Sequence, residues 1–181
     1  MARIPVHTLD TAPEGSRDGL KAIHDRFGRI MNIQAEMAHN PVVLKTYLAF
    51  KDILHNDGTF DARIEQAIAL AVSVVNGCEY CQAAHTLGGK AAGLSEEETV
   101  AIRRGDYGFD PKLGALLAVA REDAQERGRV RDETWEAALA AGWTDADLLE
   151  AHVHVVANVL TNYFNQLVHT DLDLPPAPPI T

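Results

Sequence analysis

Cysteine is scarce in this chain: two in 181 residues, Cys78 and Cys81, three positions apart. A small secreted scaffold spreads several cysteines to staple its loops, so that class is excluded. Basic residues are also in deficit, 16 Lys and Arg against 26 Asp and Glu, for a net charge of -10. Such a balance argues against a nucleic-acid partner and against an anionic membrane, since both need a basic surface to neutralise phosphate. No run approaches the roughly 20 uninterrupted apolar residues of a membrane span. The opening Met1-Ala2-Arg3-Ile4-Pro5 lacks a signal-peptide layout, so the chain is expected in the cytoplasm. What is present is an ordinary globular composition, 46% hydrophobic and 23% charged. The length suits one domain over residues 1–181 with a real core.

Helical signals follow one another along the chain. Leu20, Ile23, Phe27, Ile30 and Met31 keep helical spacing and predict one helix from about Ser16 to Ala38. Pro41 opens a second helix, which runs to about Leu54, and Asn56-Asp57-Gly58 marks a loop. A strongly apolar helix is expected from Asp61 to Val75, broken by Asn76-Gly77, and the next begins at Cys78 and stops before Gly93. Ser95 and Glu98 form a capping box for a short helix, and Asp110-Pro111 reads as N-cap and N1 of another that ends before Gly128. Arg131 to Ala140 is a further helix, and Thr144 caps the last, which extends to about His169. No strand pattern interrupts the series, so the fold class is all-α. The last helix is apolar around most of its circumference, which points to a central helix or a subunit interface and to a homo-oligomer. The proline-rich tail from Leu174 is expected to be extended, against the surface or a neighbour.

A lone C-x-x-C in a reducing compartment points to redox chemistry or a metal. Cys78, Cys81 and His85 fall at i, i+3 and i+7 on one helix, which is one face. Cys81 thus has a cysteine on one side and a histidine one turn away on the other. A free cysteine, with a pKa near ~8.5, is mostly protonated at neutral pH, so an imidazole in reach serves as proton acceptor. On this reading Cys81 is the attacking thiolate, Cys78 resolves its sulfenic acid to a disulfide, and an external thiol reduces the product. The expected cofactor is none beyond that redox-active disulfide. Two other readings stand beside it. The cysteines are buried small hydrophobes, or they bind a metal with His85 and a fourth ligand from His152 or His154. Haem attachment fails, because Gln82 rather than histidine follows Cys81.

The stretch Asn76-Gly77-Cys78-Glu79-Tyr80-Cys81-Gln82-Ala83-Ala84-His85 resembles the alkylhydroperoxidase AhpD-like family, which sits with the carboxymuconolactone decarboxylases. The segment Asn158 to Asn165 is similar to its peroxidase-related branch. The resemblance implies an AhpD-like helical bundle assembled as a trimer, hexamer or similar homo-oligomer. It implies hydroperoxide as the oxidising substrate and a lipoyl group or thioredoxin-like protein as reductant. It also implies that Cys81 meets the peroxide, Cys78 is its partner and His85 relays the proton. The family's relay glutamate lies twelve residues before the first cysteine, and here that slot holds Gln66, with Glu65 one residue earlier. One residue turns a helical side chain by about 100 degrees, and an amide cannot accept a proton as a carboxylate does. Glu65 and Gln66 are therefore both candidates for the slot. The cysteine pair favours the redox branch over the decarboxylases proper, whose chemistry does not need it. A different class of function is a redox-responsive scaffold whose disulfide changes assembly with little turnover.

Among other residues, His152 and His154 are expected in a core or interface, and Trp135 and Trp143 as core or rim aromatics. Asn162, Asn165 and Gln166 on the apolar last helix need hydrogen-bond partners wherever they are buried.

Overall fold

The computed structural model describes residues 1–180, and its regular elements among them are all helices. In order they are α1 (Glu14–Phe27), α2 (Asn32–Met37), α3 (Pro41–Asp57), α4 (Ala62–Val75) and α5 (Glu79–Ala91). There follow α6 (Glu96–Arg104), α7 (Pro111–Glu126), α8 (Asp132–Ala140) and α9 (Asp145–Val168). The all-α expectation is met. The residues divide into two compact units, Met1–Asp57 with Phe164–Asp173, and Gly58–Tyr163 with the segment from Leu174.

The single helix expected from Ser16 to Ala38 is two. Gly28 takes the left-handed conformation, φ 71°, and its amide returns to His24 O, which ends α1. Helix α2 then starts afresh, with the Gln34 side chain accepting from the Met31 amide at 3.0 Å. The apolar spacing carries across this break, so periodicity alone does not register it. In this first unit α1 packs closely on α3: a Cβ on Gly19 would lie 3.0 Å from both Leu44 and Leu48. Glu36 of α2 is buried, with one carboxylate oxygen accepting from the Thr170 hydroxyl and Oε1 making no hydrogen bond.

The second unit is organised around α4. Its Ala67, Ile68, Leu70, Ala71 and Val72 are fully buried and join Leu94, Ile102, Leu116, Leu117, Leu148 and Val155 in one core. Each fully buried Leu or Ile contributes about 1.5–3 kcal/mol from burial. Caps set the helix boundaries. The Asp61 and Asp110 side chains receive the Ile64 and Leu113 amides, and Ser95 with Glu98 forms the expected capping box. Thr144 and Asp147 cap α9 reciprocally. Arg63 of α4 joins Glu98 at 3.2 Å and Asp110 at 3.1 Å, and so ties the starts of α6 and α7 together. The extended tail lies on this unit, with buried Arg103 donating to Pro178 O at 2.6 Å. Trp135 and Trp143 sit at the core margin, donating to Asp145 and to Lys112 O respectively.

Helix α9 runs parallel to α4. Glu150 receives the Thr59 amide, the Thr59 hydroxyl and the Phe60 amide just before α4 begins, and Asn162 meets Asn76 where α4 ends. From Glu150 to Asn162 is about 18 Å of helix, so the two contacts brace α4 near its two ends. Burial pushes the Glu150 carboxyl up, but the Thr59 and Phe60 donors and nearby His154 hold it below the usual range. The burial expected for α9 holds on one face: Leu148, Ala151, Val155, Asn158 and Asn162 are buried, whereas Leu149, Val153, Val156 and Tyr163 are exposed. No helix among the described residues is long and apolar enough to cross a membrane.

Glu36 gives a pH test of the first unit. Burial, reinforced by Asp171 and Asp173, raises its carboxyl above the ordinary range, against the Thr170 hydroxyl and His39. The folded state therefore binds this proton more tightly than the unfolded chain, and stability drains away as pH rises through the raised value. Glu36→Gln keeps the shape and cannot ionise. It is expected to melt about 2–4 °C higher at pH 8, the shift that ~1 kcal/mol gives in a chain of this size. The gap closes in acid, as thermal unfolding across pH will show.

Candidate active site

The site begins where α4 stops. Asn76 is the C-cap, and Gly77 takes φ 66°, a left-handed conformation that glycine adopts without penalty. The Gly77 amide donates to Val74 O at 3.0 Å and the Cys78 amide to Ser73 O at 2.9 Å. This is the Schellman closure of a helix C-terminus. Cys78 then serves the next helix as well: it is the N-cap of α5, and its Sγ accepts from the Cys81 amide at 3.3 Å. One residue thus ends α4 with its backbone and starts α5 with its side chain.

Both cysteines are free thiols and both are buried, each 2% exposed. A sulfur at the first turn of a helix faces unpaired amides and the positive end of the dipole, which favour negative charge there. His85 lies on the same helix one turn beyond Cys81 and is half-buried. Its Nδ1 meets Gln66 Oε1 across the α4–α5 interface at 2.8 Å. The residue in the slot twelve before Cys78 therefore does reach the histidine, as an amide. Glu65 stands in the first turn of α4, half-buried.

Two features of the site lay beyond the sequence reading. The first is the anchor of the turn. Asn76 Nδ2 donates to Asn162 Oδ1 at 2.9 Å, and Asn162 Nδ2 lies 3.5 Å from Ser73 Oγ, whose hydroxyl donates to Ala69 O. By sequence Asn162 is only a polar residue in need of a partner; in the structure it meets the turn that sets Cys78. The second is Gly88, whose missing side chain makes room for Gln66. A glycine pair inside a helix was the available signal.

The two other histidines do different work. His152, half-exposed, joins Asp123 of α7 at 2.7 Å. His154 is buried, stacks on Phe60 with ring centres 5.6 Å apart, and has Nε2 3.8 Å from Glu150. Among the described residues no group of three His, Cys, Asp or Glu side chains is arranged to hold a metal ion.

The carboxymuconolactone decarboxylase family profile matches residues 41–122, from α3 into α7, and takes in both cysteines, Gln66 and His85. Over that stretch the chain is similar to this family. Solved structures share the fold. A peroxidase-related protein with an alkylhydroperoxidase AhpD core, from Ralstonia eutropha JMP134, has a TM-score of 0.85 at 22% identity, covering 95% of this chain and 92% of that one. A peroxidase-related protein from Silicibacter sp. TM1040 has a TM-score of 0.76 at 18% identity, covering 97% and 91%. The debrominase Bmp8, in complex with 2,3,4-tribromopyrrole, has a TM-score of 0.79 at 14% identity, covering 96% and 92%. No curated protein sequence matches the chain. These structures carry different names on one fold, so the likeness shows the scaffold and leaves the reaction to the site.

Asn162 is fully buried, and its loss leaves polar groups of the α4–α5 turn without their partner. Asn162→Ala is expected to cost about 1–3 kcal/mol. Urea unfolding should show this as a lower midpoint with an unchanged slope.

Proposed function

We propose that the chain is a dithiol oxidoreductase that reduces hydroperoxides by cycling a Cys78–Cys81 disulfide, with an external dithiol as reductant. The observation that carries this reading is the bond from the Cys81 amide to Cys78 Sγ, which ties two free thiols to the first turn of one helix. His85, one turn on, takes the Cys81 thiol proton. The thiolate attacks a peroxide oxygen, an S–O bond forms, the O–O bond breaks, and the departing alkoxide takes the proton from His85. The Cys78 thiol then displaces water from the sulfenic acid, and the S–S bond forms. Two electrons from the dithiol restore the pair, and the reductant leaves as a disulfide. Burial of both sulfurs favours slim reactants. A hydroperoxide fits that condition, and the extended arm of a lipoyl group fits it better than a globular thioredoxin-like protein.

The exposed stripe Leu149, Val153, Val156 and Tyr163 on α9 supports self-association through that helix. Light scattering is expected to show a homo-oligomer for the wild type and a smaller species for Val156→Glu.

The catalytic reading is tested by peroxide consumption with dihydrolipoamide as reductant, and with a brominated pyrrole as the competing oxidant. Cys81→Ser is expected to fall to the uncatalysed rate, and Cys78→Ser to stall at the sulfenic acid, visible by mass spectrometry. Full activity in Cys81→Ser sinks the proposal. A redox-dependent change in oligomer size with no turnover favours a scaffold instead.

A further inference from the structure

Helix α5 carries Gly88 and Gly89 side by side in its second half. Each interior glycine costs a helix about 0.5–1 kcal/mol relative to alanine, so the pair calls for a packing reason. For Gly88 the reason is Gln66. A Cβ at Gly88 would lie 2.5 Å from Gln66 Oε1 and 3.0 Å from Gln66 Cδ. Only a residue without a side chain lets the Gln66 amide lie against α5, and there its Oε1 meets His85 Nδ1 at 2.8 Å.

An amide oxygen accepts hydrogen bonds and has no proton of its own. The ring nitrogen facing it must therefore carry the hydrogen. In a neutral imidazole one nitrogen is the donor and the other the acceptor, and the partner of the first decides which is which. We propose that Gln66, seated in the notch left by Gly88, is a positioning residue that holds neutral His85 as the Nδ1–H tautomer, leaving Nε2 as the base for the Cys81 thiol. This rests on the thiol chemistry proposed above and specifies how the same site moves its proton. A carboxylate in this position would also compensate the charge of the imidazolium. The amide orients the ring and leaves that charge uncompensated. His85 then accepts the thiol proton less readily and returns it more readily to the departing alkoxide. The site trades early thiolate formation for a stronger acid at O–O cleavage.

The test has two arms. The first needs no substrate: two-bond nitrogen–proton NMR of the histidine rings near pH 8. Wild type is expected to show His85 protonated at Nδ1, Gln66→Glu to keep that tautomer, and Gln66→Leu to give a mixture. Wild-type His85 protonated at Nε2 overturns the proposal, whatever the assays of peroxide consumption show. The second arm is the pH profile of cysteine alkylation by iodoacetamide. Gln66→Glu is expected to react about tenfold faster at pH 6, with the profile displaced by about one pH unit, because a carboxylate stabilises the thiolate–imidazolium pair. Gln66→Leu is expected to react several-fold slower than wild type with an unchanged fold. Gly88→Ala is expected to match Gln66→Leu by displacing the amide. If Gly88→Ala does not fold, Gly88→Ala combined with Gln66→Ala removes the clash and is expected to fold and match Gln66→Leu. Profiles that coincide for wild type, Gln66→Glu and Gln66→Leu overturn the proposal.

Discussion

The double duty of Cys78 constrains the site more than any other contact. Its amide completes the Schellman closure of α4 through Ser73 O, and its sulfur accepts the Cys81 amide to begin α5. The closure requires a left-handed residue just before it, which Gly77 supplies at φ 66°. Once these bonds form, the direction of α5, the place of Cys81 at its first turn and of His85 one turn later all follow. The thiol pair is a consequence of how two helices are joined, so its geometry costs the protein little beyond the joint itself.

A joint of this kind is only as rigid as the helices it connects, and α4 is held on both sides. Its small and branched residues pack into the core of the second unit, and α9 binds it at each end. Glu150 collects three donors ahead of α4, and Asn162 fixes Asn76 behind it. Both contacts are polar and directional, the one at Glu150 near the surface and the one at Asn162 buried. The buried one resists sliding most, because a displaced buried hydrogen bond leaves its groups unsatisfied at about 1–3 kcal/mol. One fold can host many chemistries, so the reaction rests on the residues this scaffold holds.

Much of this was legible in the chain itself. Helix ends were readable at Ser95 with Glu98, at Asp110-Pro111 and at Thr144, because caps act over three or four residues and leave local signatures. The N-G-C turn and the one-face spacing of Cys78, Cys81 and His85 were equally local. The break at Gly28 is not legible in the pattern, since apolar periodicity runs through it while the helical backbone does not. The apolar circumference of α9 is legible as well, but composition reports which side chains are apolar, and not which of them this chain covers. His152 and His154 are two residues apart on α9, and one joins Asp123 while the other stacks on Phe60.

The sequence by itself determined the helices, the joint at Asn76-Gly77 and the order of the thiols, because each depends on hydrogen bonds and rotations within a few neighbouring residues. Tertiary structure decided which polar side chain meets the site. Glu65 and Gln66 differ by one step along a helix, about 100 degrees of rotation, and only the packing of α4 against α5 selects Gln66 as the partner of His85. The same packing gave Gly88 its purpose and Asn162 its partner. Those contacts join residues far apart in the chain, and nothing in the local pattern of either partner encodes the distance between them.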